Sequence, residues 1–310
     1  MVFSERKIIA SICKGIQNHA SIMAGAGSDD AACVRIGNKT LVFTSDIMFG
    51  SSHFPKKLSL DAAGRKAVVA NISDLASMGS EPLYIMISLG IPKSQKGLGS
   101  FIQGIKKACR EYSAVIIGGD TKCSRELTVT ICAIGRTDGN ILARSNAKPG
   151  DVVAVTGNIG SAFCGLHSLL NNKKINRSLS FAFINPKARV TEGRLLSHLS
   201  PRVAAMDITD GLLYTASEIA RESKVGIKLD SSQIPISKLA VEYANRNRIP
   251  FARLINTGED YELCVSLSER DFERLKNKLN LTKIGRVVKG KGIWLDGKRI
   301  DAKGYDAFNH

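Results

Sequence analysis

Apolar residues recur at helical spacing near the start of the chain, at Ile8, Ile9, Ile12 and Ile16. With charged residues between them, they predict an amphipathic helix from Ser4 to about Gln17, with Ser4 as its N-cap. The period then changes to two. Ala32 to Ile36 and Leu41 to Ser45 flank Gly37-Asn38-Lys39 and predict a hairpin, followed by a loop from Phe49 to Lys57 that carries Ser51-Ser52-His53. Leu60 to Met78 is rich in alanine and reads as a long, closely packed helix on which Asn71 and Asp74 share a face. Leu83 to Leu89 predicts a strand, and Leu98 to Tyr112 a helix with Phe101, Ile102, Ile105, Ala108 and Cys109 on its apolar side. The run Val115-Ile116-Ile117 reads as a strand ending at Gly118-Gly119-Asp120. Leu127 to Ile134 is expected to pair with Ile141 to Ala143 across Asp138-Gly139-Asn140.

Pro149-Gly150-Asp151 is the best boundary, dividing the chain into domains of residues 1–148 and 149–310. Beyond it Val152 to Thr156 reads as a strand leading through Gly157-Asn158-Ile159-Gly160-Ser161 into a helix. Such a turn can offer backbone N–H groups to phosphate or simply allow tight helix–sheet packing, and both readings stand. Asn171 to Ser180 is polar and reads as a surface loop, and Pro186 as the start of a helix to about Leu199. Strands at Val203–Met206, Val225–Leu229 and Leu263–Val265 alternate with helices at Leu212–Ser223 and Ser237–Arg248. Ser268 caps a further helix, and Ile284–Val288, Ile293–Leu295 and Arg299–Ile300 read as terminal strands. The class expected is mixed α/β.

Composition narrows this picture. At 310 residues, 44% hydrophobic and 23% charged, the chain has the make-up of an ordinary globular protein with room for two cores. No apolar run reaches the ~20 residues of a membrane span. Glu5, Arg6 and Lys7 stand where a signal peptide would have none of their mixed charge, so a cytoplasmic location and no membrane partner are expected. The seven cysteines include no Cys-x-x-Cys pair, which argues against a disulfide framework and structural zinc. A net charge of +16 suits either anionic ligands or a solvated basic surface, and neither a sustained basic tract nor a recognisable nucleic-acid module is present.

The chemistry-bearing signal is carboxylates delivered at the ends of apolar runs. Val203-Ala204-Ala205-Met206 leads into Asp207-Ile208-Thr209-Asp210-Gly211, Leu41-Val42-Phe43 into Thr44-Ser45-Asp46, and Val115-Ile116-Ile117 into Gly118-Gly119-Asp120. Asp29-Asp30 precedes another strand, and Asp74 stands on the alanine-rich helix. Any one of them is more often a turn former or a helix cap, as Asp210 could be for the helix after it. Five such segments point instead to aspartates gathered around metal-bound phosphates, because hard cations relieve the cost of crowding carboxylates. Gly258-Glu259-Asp260-Tyr261-Glu262 adds an acidic cluster around an aromatic ring, and Gly304-Tyr305-Asp306 places another aromatic near the end of the chain.

In this order the motifs resemble the thiamine-monophosphate kinase family, within the aminoimidazole ribonucleotide synthetase superfamily. The resemblance runs from Asp29-Asp30-Ala31-Ala32, through His53 and Asn71-Ile72-Ser73-Asp74-Leu75, to Gly304-Tyr305-Asp306. It implies a two-domain synthetase-like fold, a homodimer made through the N-terminal sheet, and an ATP site with several Mg²⁺ ions between the domains. It further implies Asp30, Thr44, Ser45, Asp46, Asp74, Asp120, Asp207 and Asp210 as the metal set, with Asp46, Asp120 and Asp210 catalytic. Gly119, Asp120, Arg144 and Thr209 would contact ATP; His53, Glu259 and Tyr305 would contact thiamine monophosphate. Two positions depart from the family pattern. Ser28 stands where Gly usually precedes the paired aspartates, and Thr209 where many relatives carry Ser.

The implied reaction suits the residues. A phosphate monoester acceptor carries roughly −1.5 to −2 charge and needs little deprotonation. The difficulty is therefore bringing two polyanions into line rather than generating a nucleophile. The nearest rival is another ATP-using member of the superfamily, such as selenophosphate synthetase, a purine-pathway synthetase or the hydrogenase-maturation enzyme. Those acting on selenium or through a terminal thiol need a placed cysteine, whereas this chain ends Phe308-Asn309-His310 and Cys13 reads as core. A nucleic-acid-binding protein is the rival from another class, and it predicts salt-sensitive binding without ATP turnover.

Overall fold

The computed structural model describes residues 5–16, 19–302 and 304, so Ser4, Gln17 and Tyr305 lie outside the described residues. Two sheets organise the chain. The first contains β1 (Ile22–Ala24), β2 (Ala32–Ile36), β3 (Lys39–Phe49), β4 (Glu81–Ile91), β5 (Val115–Cys123) and β6 (Thr128–Thr137), in the order β1-β2-β3-β6-β4-β5. The second contains β7 (Val152–Thr156), β8 (Ala204–Asp207), β9 (Gly226–Leu229), β10 (Leu263–Leu267), β11 (Leu281–Val288), β12 (Gly292–Leu295) and β13 (Lys298–Ile300), in the order β13-β12-β9-β11-β7-β10-β8. Only the β4–β5 and β9–β12 pairs are parallel among the described strands.

The N-terminal sheet is amphipathic. In β6 every second residue is buried, and the helices Leu60–Ser77 and Leu98–Glu111 cover that face. The two helices cross where Gly64 meets Phe101 and Gly104 meets Asp61, so closely that a Cβ on either glycine would run into the other helix's backbone. In the C-terminal sheet every residue of β7, β8 and β10 is buried. Val153 and Val155 face one core, Val152 and Ala154 the other, so this sheet is covered on both sides.

Between the sheets runs Leu60–Ser77, of whose 18 residues 15 are buried. Ser59 caps it, accepting from the Ala62 N–H, and Arg65 is held by Glu111 and the Pro186 carbonyl. Gly193 of the Val190–Ser197 helix sits against the Ala76 carbonyl, bringing the C-terminal half directly onto this helix.

Several expected elements differ. Ile141–Ala143 forms no strand; β6 pairs with β3 and β4 instead, and the chain leaves through a short turn of helix at Arg144–Asn146. β5 does not end at Gly118-Gly119-Asp120 but continues through it along β4 to Cys123. Gly50–His53 is a single helical turn within the expected loop. Asn176 caps a helix at Arg177–Ile184 that buries Leu179 and Phe183 and begins within the loop expected from Asn171 to Ser180. The segment after Pro186 becomes helical only at Val190, and a further helix occupies Phe251–Asn256.

Candidate active site

Three of the expected carboxylates converge. Asp30 comes from the loop before β2, Asp74 from the central helix and Asp207 from the last residue of β8, and one oxygen from each lies within 4.8 Å of the others. The neighbouring hydroxyls turn inward: Thr44 Oγ1 donates to Asp74 Oδ2 at 2.6 Å, and Ser73 Oγ donates to Asp207 Oδ2 at 2.5 Å. Ser73 belongs to the N-terminal half and Asp207 to the C-terminal sheet, so the cluster straddles the seam.

The cluster is short of positive charge. Burial and then the charges of Asp46, Asp207 and Asp30 push Asp74 well above the usual carboxylate range. Burial and Asp30 do the same to Asp207, against the Ser73 hydrogen bond and Arg144. Arg144 is a cation beside it. It pairs with Asp30, its backbone N–H donates to Asp29 Oδ2 at 3.1 Å, and its guanidinium lies 4.0 Å from Glu218. Asp29 is pushed up to about 7 by burial and by Asp30. Asp30 Oδ2 is buried without a hydrogen-bond partner. Crowded oxygens, raised carboxyls and one unsatisfied anionic atom fit a hard divalent cation bound through oxygen.

The remaining expected ligands are spread more widely. Thr44 and Asp46 share a face of β3, and the Asp46 N–H donates to Asn71 Oδ1 at 3.2 Å, whereas the intervening Ser45 turns to the opposite, exposed face. Thr209 and Asp210 are half-buried in the turn after β8. The helix that follows is capped by Gly211 without a side-chain cap bond, so Asp210 is not its N-cap through its carboxylate. Gly119 and Asp120 lie within β5, which is exposed along its whole length, and Asp120 pairs with Lys122 at 3.6 Å. Asp120 is therefore not among the carboxylates that meet.

The acidic loop Gly258–Glu262 is bound to the Asp207 turn by backbone. Leu263 stands opposite Asp207 in the β8–β10 ladder, Tyr261 N donates to the Ile208 carbonyl at 3.1 Å, and Glu259 N to the Thr209 carbonyl at 3.0 Å. Gly258, at φ 80°, packs onto the Thr209 carbonyl with no room for a Cβ, and Glu259 and Tyr261 follow at φ 67° and 53°. This puts Glu259 beside Lys66 of the central helix, whose Nζ lies 2.7 Å from Glu259 Oε2. His53 shares the electrostatic neighbourhood: burial and then Lys66 lower its pKa, while Glu259 raises it. The Gly157–Ser161 turn is not free for phosphate. Its Gly160 N–H donates to both oxygens of half-buried Asp260, at 3.0 and 3.1 Å, so the packing reading of this turn holds.

Residues 28–137 match the AIR synthase related protein N-terminal domain, and residues 148–297 the corresponding C-terminal domain. The thiamine-monophosphate kinase of Pyrococcus horikoshii is 36% identical over 299 residues, covering 96% of this chain and 92% of that protein. The chain belongs to the thiamine-monophosphate kinase family. The Bacillus subtilis member is 33% identical over 98% of this chain and 99% of its own length. A solved family structure, AaThiL complexed with AMPPCP and TMP, superposes with a TM-score of 0.89 at 30% identity, covering 98% of this chain and 97% of that one. The hydrogenase maturation protein HypE in complex with ATP, at 15% identity and a TM-score of 0.72, shares the fold alone. Within the described residues of this thiamine-monophosphate kinase family member, no helix is long and apolar enough to cross a membrane. Sequence reasoning missed Lys66 and Ser73 as site residues. The available signal was a lysine and a serine spaced two helical turns apart on an alanine-rich helix, with Ser73 directly before Asp74.

Proposed function

We propose that the acid cluster at the seam is where this chain transfers the γ-phosphoryl group of ATP to thiamine monophosphate, giving thiamine diphosphate and ADP. The observation that carries the reading is the meeting of Asp30, Asp74 and Asp207 from three separate elements, in a chain related to thiamine-monophosphate kinases over nearly its full length. Magnesium bound by these carboxylates would neutralise and align the phosphoryl groups of donor and acceptor. Asp30, Asp74 and Asp207 hold the cations, Thr44 and Ser73 orient the second and third of these carboxylates, and Asp46 and Asp210 complete the anionic wall. Arg144, Thr209 and Gly119 are assigned to ATP, and His53, Glu259 and Tyr305 to the acceptor.

Residues 1–148 and 149–310 are taken as the two domains. The uncovered face of the N-terminal sheet exposes Ile47, Tyr84 and Met86, and the edge strand β5 exposes Val115, Ile116 and Ile117. A second copy covering this surface is the proposed homodimer, and Asp120 lies on the strand it would cover. A cytoplasmic location follows from ATP as donor.

The deciding experiment is a coupled ADP-release assay with thiamine monophosphate, thiamine, aminoimidazole precursors and selenide as competing acceptors. Thiamine monophosphate should support Mg²⁺-dependent turnover above the others, and chelation should abolish it. Turnover with another acceptor but not with thiamine monophosphate would overturn the assignment. Asp210→Asn should lower the rate by roughly 10²-fold or more with the fold intact, by analogy with losing one preorganised electrostatic contact.

A further inference from the structure

Lysine is almost never fully buried unless it is paired, yet Lys66 is only 3% exposed. Its ammonium lies 2.7 Å from Glu259 Oε2 and 4.6 Å from the ring centroid of Phe183. Both charge and ring hold it in place. Lys66 reaches from the central helix to a loop of the C-terminal half, and Ser73 on the same helix reaches the end of β8 in that half, through Asp207.

Ser73 lies seven positions after Lys66, which is 20° short of two full turns, so the two side chains leave one face of the helix about 10.5 Å apart along its axis. On the opposite wall, the Glu259 N–H bonds to Thr209, two residues beyond Asp207. The helix and the Asp207–Glu259 wall are thus two uprights joined by two rungs, one at the phosphate end and one at Glu259. The Glu259 carboxylate also accepts from Tyr261 at 3.3 Å, and its side chain remains 28% exposed, open to a ligand.

We propose that Lys66 is a positioning residue for the acceptor: it fixes the Glu259 carboxylate at a set distance from the acid cluster, so that the end of thiamine monophosphate remote from its phosphate is registered against the phosphate end. The inference rests on the assignment of Glu259 to the acceptor. Thiamine monophosphate carries a cationic ring and an amino group away from its phosphate, and a carboxylate ordered in advance binds such groups without the entropic cost of fixing its own rotamer. Misplacing it moves the acceptor phosphate off line, where a shift of an ångström costs up to about 10²-fold.

The test is steady-state kinetics with each substrate varied, on Lys66→Met, Lys66→Arg, Glu259→Gln and the Lys66→Met/Glu259→Gln double variant. Lys66→Met is expected to raise KM for thiamine monophosphate roughly 10-fold or more and to lower kcat by up to about 10²-fold, while KM for ATP changes less than about 2-fold. Lys66→Arg, which keeps the charge, should give an intermediate KM. The double variant should cost no more than the larger single one, because both act through the same carboxylate. An equal rise in both KM values, or wild-type KM and kcat with thiamine monophosphate as the varied substrate, would reduce Lys66 to a structural bridge and overturn the proposal. Should Lys66→Met lose its thermal transition, Lys66→Arg decides by the same split between the two KM values. A Glu259→Gln enzyme with unchanged KM for thiamine monophosphate would remove the underlying acceptor assignment. A raised KM there with wild-type values in the Lys66 variants would sink Lys66 alone.

Discussion

The two ends of the Leu60–Ser77 helix are built on opposite electrostatic principles. At the Asp74 end, Asp30, Asp74 and Asp207 crowd together with Asp29 and Asp46 nearby, and their main partners are hydroxyls and Arg144. At the Lys66 end one buried ammonium meets one carboxylate at 2.7 Å, and the charge is balanced within the protein. A self-neutralised pair supplies rigidity whether or not a ligand is present. A surplus of buried carboxylate is unfavourable until cations arrive, so the same helix carries a fixed reference point at one end and a cation-dependent one at the other.

The strongest way to break this contrast is Asp74→Asn. Loss of one carboxylate from the cluster should lower ATP-dependent turnover by roughly 10²- to 10³-fold. It should also raise the melting temperature of the metal-free protein, because burial and repulsion act against that charge. Near-normal turnover, or a destabilised metal-free protein, would show that the cluster is not strained by its own charge.

The pH dependence comes next in size. Carboxyls whose folded pKa is raised stabilise the protein at low pH and lose that contribution as pH climbs from the unfolded value to the folded one. For Asp29 the window runs from 3.8 to about 7, and Asp74 and Asp207 shift in the same direction. The melting temperature gained by adding Mg²⁺ in place of chelator should therefore grow between pH 5 and pH 8. A gain independent of pH would separate metal binding from these carboxyls. Exposed Glu269, paired with Lys283 and Arg286, is shifted the other way and does not feed this window.

How far the sequence foretold each end follows from the same contrast. Asp30, Asp74 and Asp207 announce themselves because a carboxylate beside apolar residues contradicts its surroundings. Lys66 does not, since a lysine on an alanine-rich helix reads as its solvent side, and only the layer from the C-terminal half buries it. Asp120 was expected at a strand end because the apolar run Val115–Ile117 gives way to Gly118-Gly119 before it. β5 runs on because it pairs on one side only, with β4, where glycine costs little packing. The helix Arg177–Ile184 was hidden by the polar stretch Asn171–Ser178 that runs into its first turn, with Leu179 and Phe183, four residues apart, as its buried face. The Gly157–Ser161 turn left two readings open, and the choice depended on Asp260, about a hundred residues away in sequence, arriving at the Gly160 N–H.

The smallest predicted effect separates the rung from the cluster. Ser73→Ala and Thr44→Val each remove one hydroxyl from a cluster carboxylate, but Ser73 reaches across the seam to Asp207 while Thr44 serves Asp74 within the N-terminal half. A hydrogen bond to a charged group contributes about 1.5–3 kcal/mol, and each kcal/mol moves the melting temperature of a domain of 150–250 residues by roughly 2–4 °C. Both variants should lose a comparable few degrees. Only Ser73→Ala also releases one of the two rungs, so KM for thiamine monophosphate should rise a few-fold there and hold steady in Thr44→Val. Equal acceptor KM values in the two variants would mean that the seam is held by its packing, with Gly193 against Ala76 and Arg65 on the Pro186 carbonyl, rather than by the Ser73 hydroxyl.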